Sequence, residues 1–363
     1  MEPIQKIGES MLAQQKVPYL DGWRGAAILG VLAAHFGPTW AAAFGKFGVL
    51  LFFVLSGYFM GGLLFIKQVK LSDFFVRRFS RVVPTFVLFT LAMVAYAAKW
   101  QPVPYEVPGS ELLATLFFLR TYLPAQQSIW ADQWPIGHFW SLNVEEHSYL
   151  YLALGVVLLG LRGDASVRRR TLAFLVSSVV LVVGCVVLYG VLRPQMASPW
   201  FARTECASLG LLAAAAYRLY LYGVPAQIKS PHLPLFALML SGLCFVPMMP
   251  GGLDKTLAPI LAAYAVNHVD QMATWFRAGL SNAVLRWFGL CSFSLYLWQM
   301  PFYLLVKHHG GLAWLNLAGA VVLGAISFYG FEDPVRERLN RWWAQRYVAE
   351  VVQPQDSDFE VQS

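Results

Sequence analysis

The sequence predicts an all-α fold: a polytopic membrane bundle of about ten transmembrane helices, with both termini on the cytoplasmic side. Three observations predict it. The 363 residues are 58% hydrophobic and 13% charged, where a soluble domain carries about 45–50% apolar and about 25% charged residues. The mean hydropathy is +0.53. The apolar residues are gathered into runs of span length, and the cations between the runs fall mostly on alternate sides.

The runs lie at 25–43, 47–66, 83–98, 139–161, 171–192, 204–222, 233–250, 256–272, 286–306 and 312–331. Lipid offers no partner for backbone polar groups, and strand-like alternation is absent, so each run reads as a helix. A further run, 111–119, is too short to cross and reads as interfacial. With the N-terminus inside, about 20 of the 27 Lys and Arg residues fall on the cytoplasmic side. Counting 111–119 as a span would move the cluster Arg168, Arg169 and Arg170 outside, which argues against it.

These boundaries give a cytoplasmic segment 1–16, a membrane domain 17–340 and a cytoplasmic tail 341–363. The first twenty residues are polar and lack the apolar stretch of a cleaved signal peptide, so the first span is expected to act as its own signal. The closing VVQPQDSDFEVQS is acidic and expected to be disordered at its end. The stretch 99–138, rich in Pro, Trp and Tyr, suits an interfacial lid, a sugar-stacking surface or an aromatic belt.

The net charge of +7 suits anionic lipid and cytoplasmic positive charge. No basic patch interleaved with aromatics stands on a soluble domain, so nucleic acid is not an expected partner. Cys185, Cys206, Cys244 and Cys291 each sit in an apolar run without metal-ligand spacing and read as small buried hydrophobes. No metal is expected.

Charges inside the runs carry the functional signal. In DGWRGAAILGVLAAHF, Arg24 and His35 are eleven residues apart, which is about three turns plus 20°, so they share one helix face about 16 Å apart along the axis. Asp21 is placed to pair with Arg24. A histidine at mid-membrane is a functional candidate, its bland alternative being a neutral ring bonded to a neighbouring helix. In GVLLFFVLSGYFMGG, Ser56 and Gly57 permit close helix approach. In FFVRRFSRVVP, Arg77, Arg78 and Arg81 fall at i,i+4 and i,i+3 spacing and suit phosphate binding, or else ordinary cytoplasmic positive charge. Pro84 suits the first turn of the following helix.

In HFWSLNVEEHSYLYL, Trp140 and Ser141 open a helix carrying Glu145, Glu146 and His147. Adjacent carboxylates point about 100° apart, so they are not expected to share one target. Arg203 and Glu205 flank the start of the run 204–222, and SFSLYLWQMPF offers Ser292, Ser294, Tyr296, Trp298 and Gln299, whose hydroxyls can also bond back to their own helix. Trp140, Ser141, Arg203, Glu205 and Tyr296 are the candidates for contacting a substrate. FEDPVRERL closes the last run with Glu332, Asp333 and Arg336, a pairing that suits a structural role.

Taken in order, DGWRGAAILGVLAAHF, FFVLSGYFM, RRFSRVVP, HFWSLNVEEHSYL and SFSLYLWQMPF followed by FEDP resemble the motifs of the acyltransferase family 3 membrane proteins. The resemblance covers about residues 17–340. These are bacterial enzymes that acylate cell-surface glycans and some small molecules. The resemblance implies a ten-helix domain in the bacterial inner membrane and acyl-CoA, most simply acetyl-CoA, as co-substrate. It implies that His35 and Arg24 are essential, that Arg78 and Arg81 help hold the donor, and that Glu145 belongs to the active site. Two positions depart from the pattern: Gln299 stands where the family often has His, and His147, Ser148 and Tyr149 stand where it usually has Gln-Phe-Tyr. Many relatives carry a fused periplasmic hydrolase-like domain, for which this chain leaves no length.

The expected partners are membrane lipid, a glycan or lipid-linked glycan acceptor, and other polysaccharide-assembly proteins. His35 is expected to serve as general base or transient acyl carrier, with Arg24 and Glu145 beside it. The competing class is a transporter or flippase of a lipid-linked glycan or small anionic solute, which also needs intramembrane charge but often shows internal repeats, absent here.

Overall fold

The computed structural model describes residues 17–99, 105–124, 129–130, 132–192, 201–222, 224 and 230–352. The expectations for the N-terminal segment and for the end of the tail lie outside these residues. Among the described residues the chain is helical and contains no strand.

The order is α1 (Pro18–Phe36), α2 (Ala42–Met60), α3 (Leu71–Lys99), α4 (Gly109–Leu116), α5 (Phe139–Leu158), α6 (Ala165–Leu192), α7 (Thr204–Ala207), α8 (Leu209–Leu221), α9 (Leu233–Leu243), α10 (Leu257–Asn267), α11 (Thr274–Leu280), α12 (Ala283–Leu290), α13 (Ser292–His309), α14 (Ala313–Ser327) and α15 (Asp333–Val352). Single π-turns, Gly61–Ile66 and Phe328–Glu332, continue α2 and join α14 to α15.

Among the described residues, four helical stretches are long and apolar enough to cross a membrane: Thr39–Ile66, Leu71–Lys99, Ala165–Gly190 and Ala313–Arg346. A fifth arises if α12 and α13, bent by 75° at their junction, count as one. The runs at 204–222, 233–250 and 256–272 are built from shorter helices of 13, 11 and 11 residues. An eleven-residue helix is about 16 Å long against a hydrocarbon core of about 30 Å. The eight-residue α4 is likewise far short of a span. Large apolar side chains stay exposed along α6, α9 and α14, among them Leu181, Phe236 and Ile326. Such a surface suits lipid and not water.

Two details differ from the sequence expectation. Pro84 lies inside α3 and does not open it. The helix begins at Leu71, so Arg77, Arg78 and Arg81 ride on the spanning helix itself; the ring removes one backbone hydrogen bond and the helix continues. The last helix also continues through the expected boundary at residue 340 to Val352.

α1 packs against α2 and α12, and α8 against α2 and α10. Small residues permit it. A Cβ on Gly25 would lie 1.9 Å from the Leu285 carbonyl oxygen, and one on Gly289 would lie 1.8 Å from that of Asp21. The backbones of α1 and α12 therefore touch directly. Gly57 gives α2 the same approach to α8, where a Cβ would be 2.0 Å from the Leu211 oxygen. The largest apolar core gathers α1, α3, α5, α13 and α14 around Phe86, Phe89, Phe139 and Leu295. His35, on α1, lies beside this core.

Candidate active site

α1, α2, α3, α5, α13 and α15 enclose a cavity of about 490 Å³. Seven of the sequence candidates line it: Arg24, Arg77, Arg78, Arg81, Ser141, Glu145 and Tyr296. Asp21, Asp73 and Arg336 add charge to its wall, and Asn340, Trp343 and Ala344 of α15 close one side. Five arginines thus face three carboxylates. Trp343 Nε1 donates to Asp73 at 2.9 Å, and Ser80 bonds Asn340 at 3.0 Å, which fastens α15 to α3.

The cations are not equivalent. Arg24 pairs with Asp21 at 3.2 Å, as the i,i+3 spacing predicts, and its guanidinium lies over Phe59. Arg336 pairs with Asp333. Arg78 lies over the Tyr149 ring, 4.4 Å from its centroid. It also reaches both Glu145 (3.2 Å) and Glu146 (2.7 Å). The two carboxylates therefore do share one target, contrary to the helical-wheel expectation. The broad guanidinium fork spans the angle that separates them. Glu145 is held further by Ser56 at 2.6 Å and by the Tyr149 hydroxyl. Arg81 has no ion-pair or hydrogen-bond partner among the described residues. Its charged neighbours are Arg78, Arg336, Glu332 and Glu145.

Tyr296 and Ser141 line the cavity with hydroxyls. Tyr296 donates to the backbone carbonyl of His138 at 2.8 Å, and the Ser141 hydroxyl, 2.7 Å from the Tyr296 oxygen, then donates to Tyr296. The hydroxyls of SFSLYLWQMPF therefore bond across helices. Ser294 likewise donates to the buried carboxylate of Glu332 at 2.6 Å.

His35 is not on the cavity wall. Its Nδ1 meets Gln299 Oε1 at 2.5 Å and its ring stacks on Tyr303 at 4.3 Å. The Gln299 amide nitrogen donates to the Tyr296 carbonyl at 3.4 Å, so the amide oxygen is the atom turned to His35. Accepting from Nδ1–H, it leaves the lone pair on Nε2. In the sequence Gln299 is visible only as a departure from the family's pattern; the contact itself joins positions 264 apart.

Trp140, Arg203 and Glu205 do not line the cavity. Trp140 packs edge-on against Phe53. Tyr122 donates to Glu205 at 2.6 Å, receives the Thr204 amide at 3.0 Å and lies under Arg203, while His147 bonds Thr204 at 2.8 Å. Burial, with the hydrogen bond to Glu205 next, pushes the Tyr122 phenol up to about 12. These contacts link the stretch 105–124 to α5 and α7. No group of three or more His, Cys, Asp or Glu among the described residues is arranged to hold a metal ion.

Comparison with known proteins gives this arrangement its context. The chain is 24% identical over 360 residues to a peptidoglycan O-acetyltransferase of Listeria monocytogenes, covering 90% of this chain and 56% of that protein. It is 26% identical over 368 residues to a putative peptidoglycan O-acetyltransferase of Bacillus subtilis, covering 91% and 56%. It is 22% identical over 377 residues to a putative O-acetyltransferase of Staphylococcus aureus strain COL, covering 93% and 60%. The chain thus spans somewhat over half the length of these relatives. No solved structure matches. The family model described as an acyltransferase domain matches residues 17–331, and the chain belongs to acyltransferase family 3.

Proposed function

We propose that the chain is a membrane O-acyltransferase that moves an acyl group, most simply acetyl, from cytoplasmic acyl-CoA to a hydroxyl of an exported or lipid-linked glycan. The observation that carries this reading is a surplus of cations on the wall of a cavity whose Tyr296 is joined to His35 by two hydrogen bonds through Gln299. An anion-rich donor suits Arg81, whose guanidinium is free to take phosphate oxygens. A volume of about 490 Å³ falls in the range of small-molecule sites. Arg24 and Arg77 extend the same wall.

In this reading His35 Nε2 removes the acceptor's hydroxyl proton, and Gln299 holds the ring in the tautomer that permits it. Glu145, engaged by Arg78, Ser56 and Tyr149, fixes the arginine wall and does not itself reach His35. A covalent acyl-His35 intermediate would use the same nitrogen. Acetyl as the group and glycan as the acceptor are supported by the names of the relatives, two of which print peptidoglycan.

The ten-span topology in the bacterial inner membrane, with both ends cytoplasmic, belongs to the same proposal. It puts the α15 side of the cavity where acyl-CoA is found and the loop 99–138 on the acceptor side. Reporter fusions in the loops test it.

The deciding experiment incubates membranes carrying the chain with labelled acetyl-CoA and follows label into the glycan fraction. The His35→Ala variant is expected to express normally and transfer nothing. Full transfer by that variant overturns the mechanism, and no use of acetyl-CoA by the unaltered chain favours a transporter or flippase.

A further inference from the structure

His138 is 3% exposed, and neither of its ring nitrogens has a hydrogen-bond partner among the described residues. A neutral imidazole has one N–H to give and one lone pair to fill, and leaving such groups buried and unmet is costly. The ring is nonetheless held firmly. Phe89 and Phe139 present ring contacts at 5.6 and 4.8 Å, Tyr296 presents one at 5.2 Å, and its backbone carbonyl takes the Tyr296 hydroxyl. The side chain is therefore fixed in place without using its polar atoms. Trp298 Nε1, also buried and unpartnered, belongs to a ring that packs on the same Phe89, 5.1 Å between centroids.

Its position matters as much as its valence. Tyr296 lines the arginine-rich cavity, and Gln299, one turn further along α13, holds His35. His138 touches Tyr296 and stands within electrostatic reach of His35. His138 and His35 both stand behind Tyr296 of the cavity wall, His138 by direct ring contact and His35 through Gln299. No carboxylate bonds its ring, so nothing nearby favours the imidazolium over a neutral N–H donor.

We propose that His138 is a catalytic residue of the acyl transfer: its neutral ring N–H donates to the thioester carbonyl oxygen and stabilises the negative charge that develops there. The inference rests on the acyl-transfer reading under Proposed function. The acceptor oxygen bonds to the acyl carbon as its proton moves to His35 Nε2. The carbon–sulfur bond then breaks, and His35 passes that proton to the leaving sulfur. His138 exchanges no proton; its hydrogen bond tightens on the oxyanion and relaxes when the ester carbonyl re-forms.

The test uses the full chain in membranes with labelled acetyl-CoA, comparing His138→Phe, which removes the donor, with His138→Gln, which keeps an N–H. Loss of one such donor is expected to lower kcat about 10²- to 10³-fold. KM for acetyl-CoA should stay unchanged, and the glutamine variant should remain within about tenfold of the native rate. Equilibrium binding of acetyl-CoA reports that each variant is folded. If His138→Phe fails that control, His138→Ala with free imidazole replaces it; rescue supports the proposal and absence of rescue overturns it. Native kcat in the phenylalanine variant overturns it, as does a change confined to KM, or equal loss in both variants while acetyl-CoA still binds. Failure of the acyl-transfer reading itself shows separately, as an unaltered chain that transfers no label from acetyl-CoA.

Discussion

Two buried charge clusters in this chain look alike on paper and are built for different ends. In the stretch 105–120, Glu111 and Arg120 pair at 2.7 Å with each side chain 2% exposed, and Tyr105 adds its hydroxyl to Glu111 at 2.5 Å. Burial and that carboxylate together push the Tyr105 phenol up to about 12. There the carboxylate meets its cation and a phenol, and neither charged group lines the large cavity. In the second cluster Arg78 is matched twice over by Glu145 and Glu146, while Arg81 a turn away makes no ion pair or hydrogen bond with a described residue and lines the cavity. A matched buried pair fixes conformation; an unmatched cation beside a cavity waits for an anion.

Perturbing the two clusters should separate these roles. Glu111→Ala leaves Arg120 buried beside an empty place, and is expected to destabilise the protein by about 3–5 kcal/mol. Its thermal denaturation in detergent should shift strongly downward, with transfer per folded molecule little changed. Arg81→Ala should do the reverse. Its repulsion by Arg78 and Arg336 offsets its attraction to Glu332 and Glu145, so its removal should leave the melting temperature little changed. Loss of charged hydrogen bonds worth about 1.5–3 kcal/mol should weaken acetyl-CoA binding about tenfold to a hundredfold, readable by equilibrium dialysis. A lowered melting temperature with intact binding would erase the distinction between the clusters.

Smaller effects sharpen it. Gln299→Leu removes the group that orients His35, and is expected to lower the transfer rate at saturating acetyl-CoA about tenfold to a hundredfold with little change in KM, by analogy with losing an orienting partner. Trp343→Phe deletes the hydrogen bond from α15 to Asp73, worth about 0.5–1.5 kcal/mol. Hydrogen exchange should then quicken in α15 before it quickens in α3.

Much of this architecture is legible in the sequence. Run length and composition point to the helical membrane class, because lipid constrains backbone and side chain so narrowly. The Arg24–Asp21 pair follows from spacing, and the arginines of FFVRRFSRVVP fall together on the cavity wall. What stays hidden depends on helices meeting side by side. Nothing in a linear pattern says that Gln299 finds His35, that Arg78 spreads across two adjacent glutamates, or that Arg203 and Glu205 turn to Tyr122 and leave the cavity to others. Pro84 misleads for a simpler reason. A proline favours a helix start, but α3 tolerates it mid-course while its neighbours hold the helix.

The π-turn at Phe328–Glu332 has a consequence for how variation can enter this wall. A widened turn accommodates one residue beyond the α-helical repeat, and each residue rotates the remainder of the helix by about 100°. Arg336, Asn340 and Trp343 face the cavity from beyond that turn. Deleting a single residue from 328–332 would therefore swing all three away together, while altering no chemical group among them. Phase, and not identity, is the property that this short segment keeps.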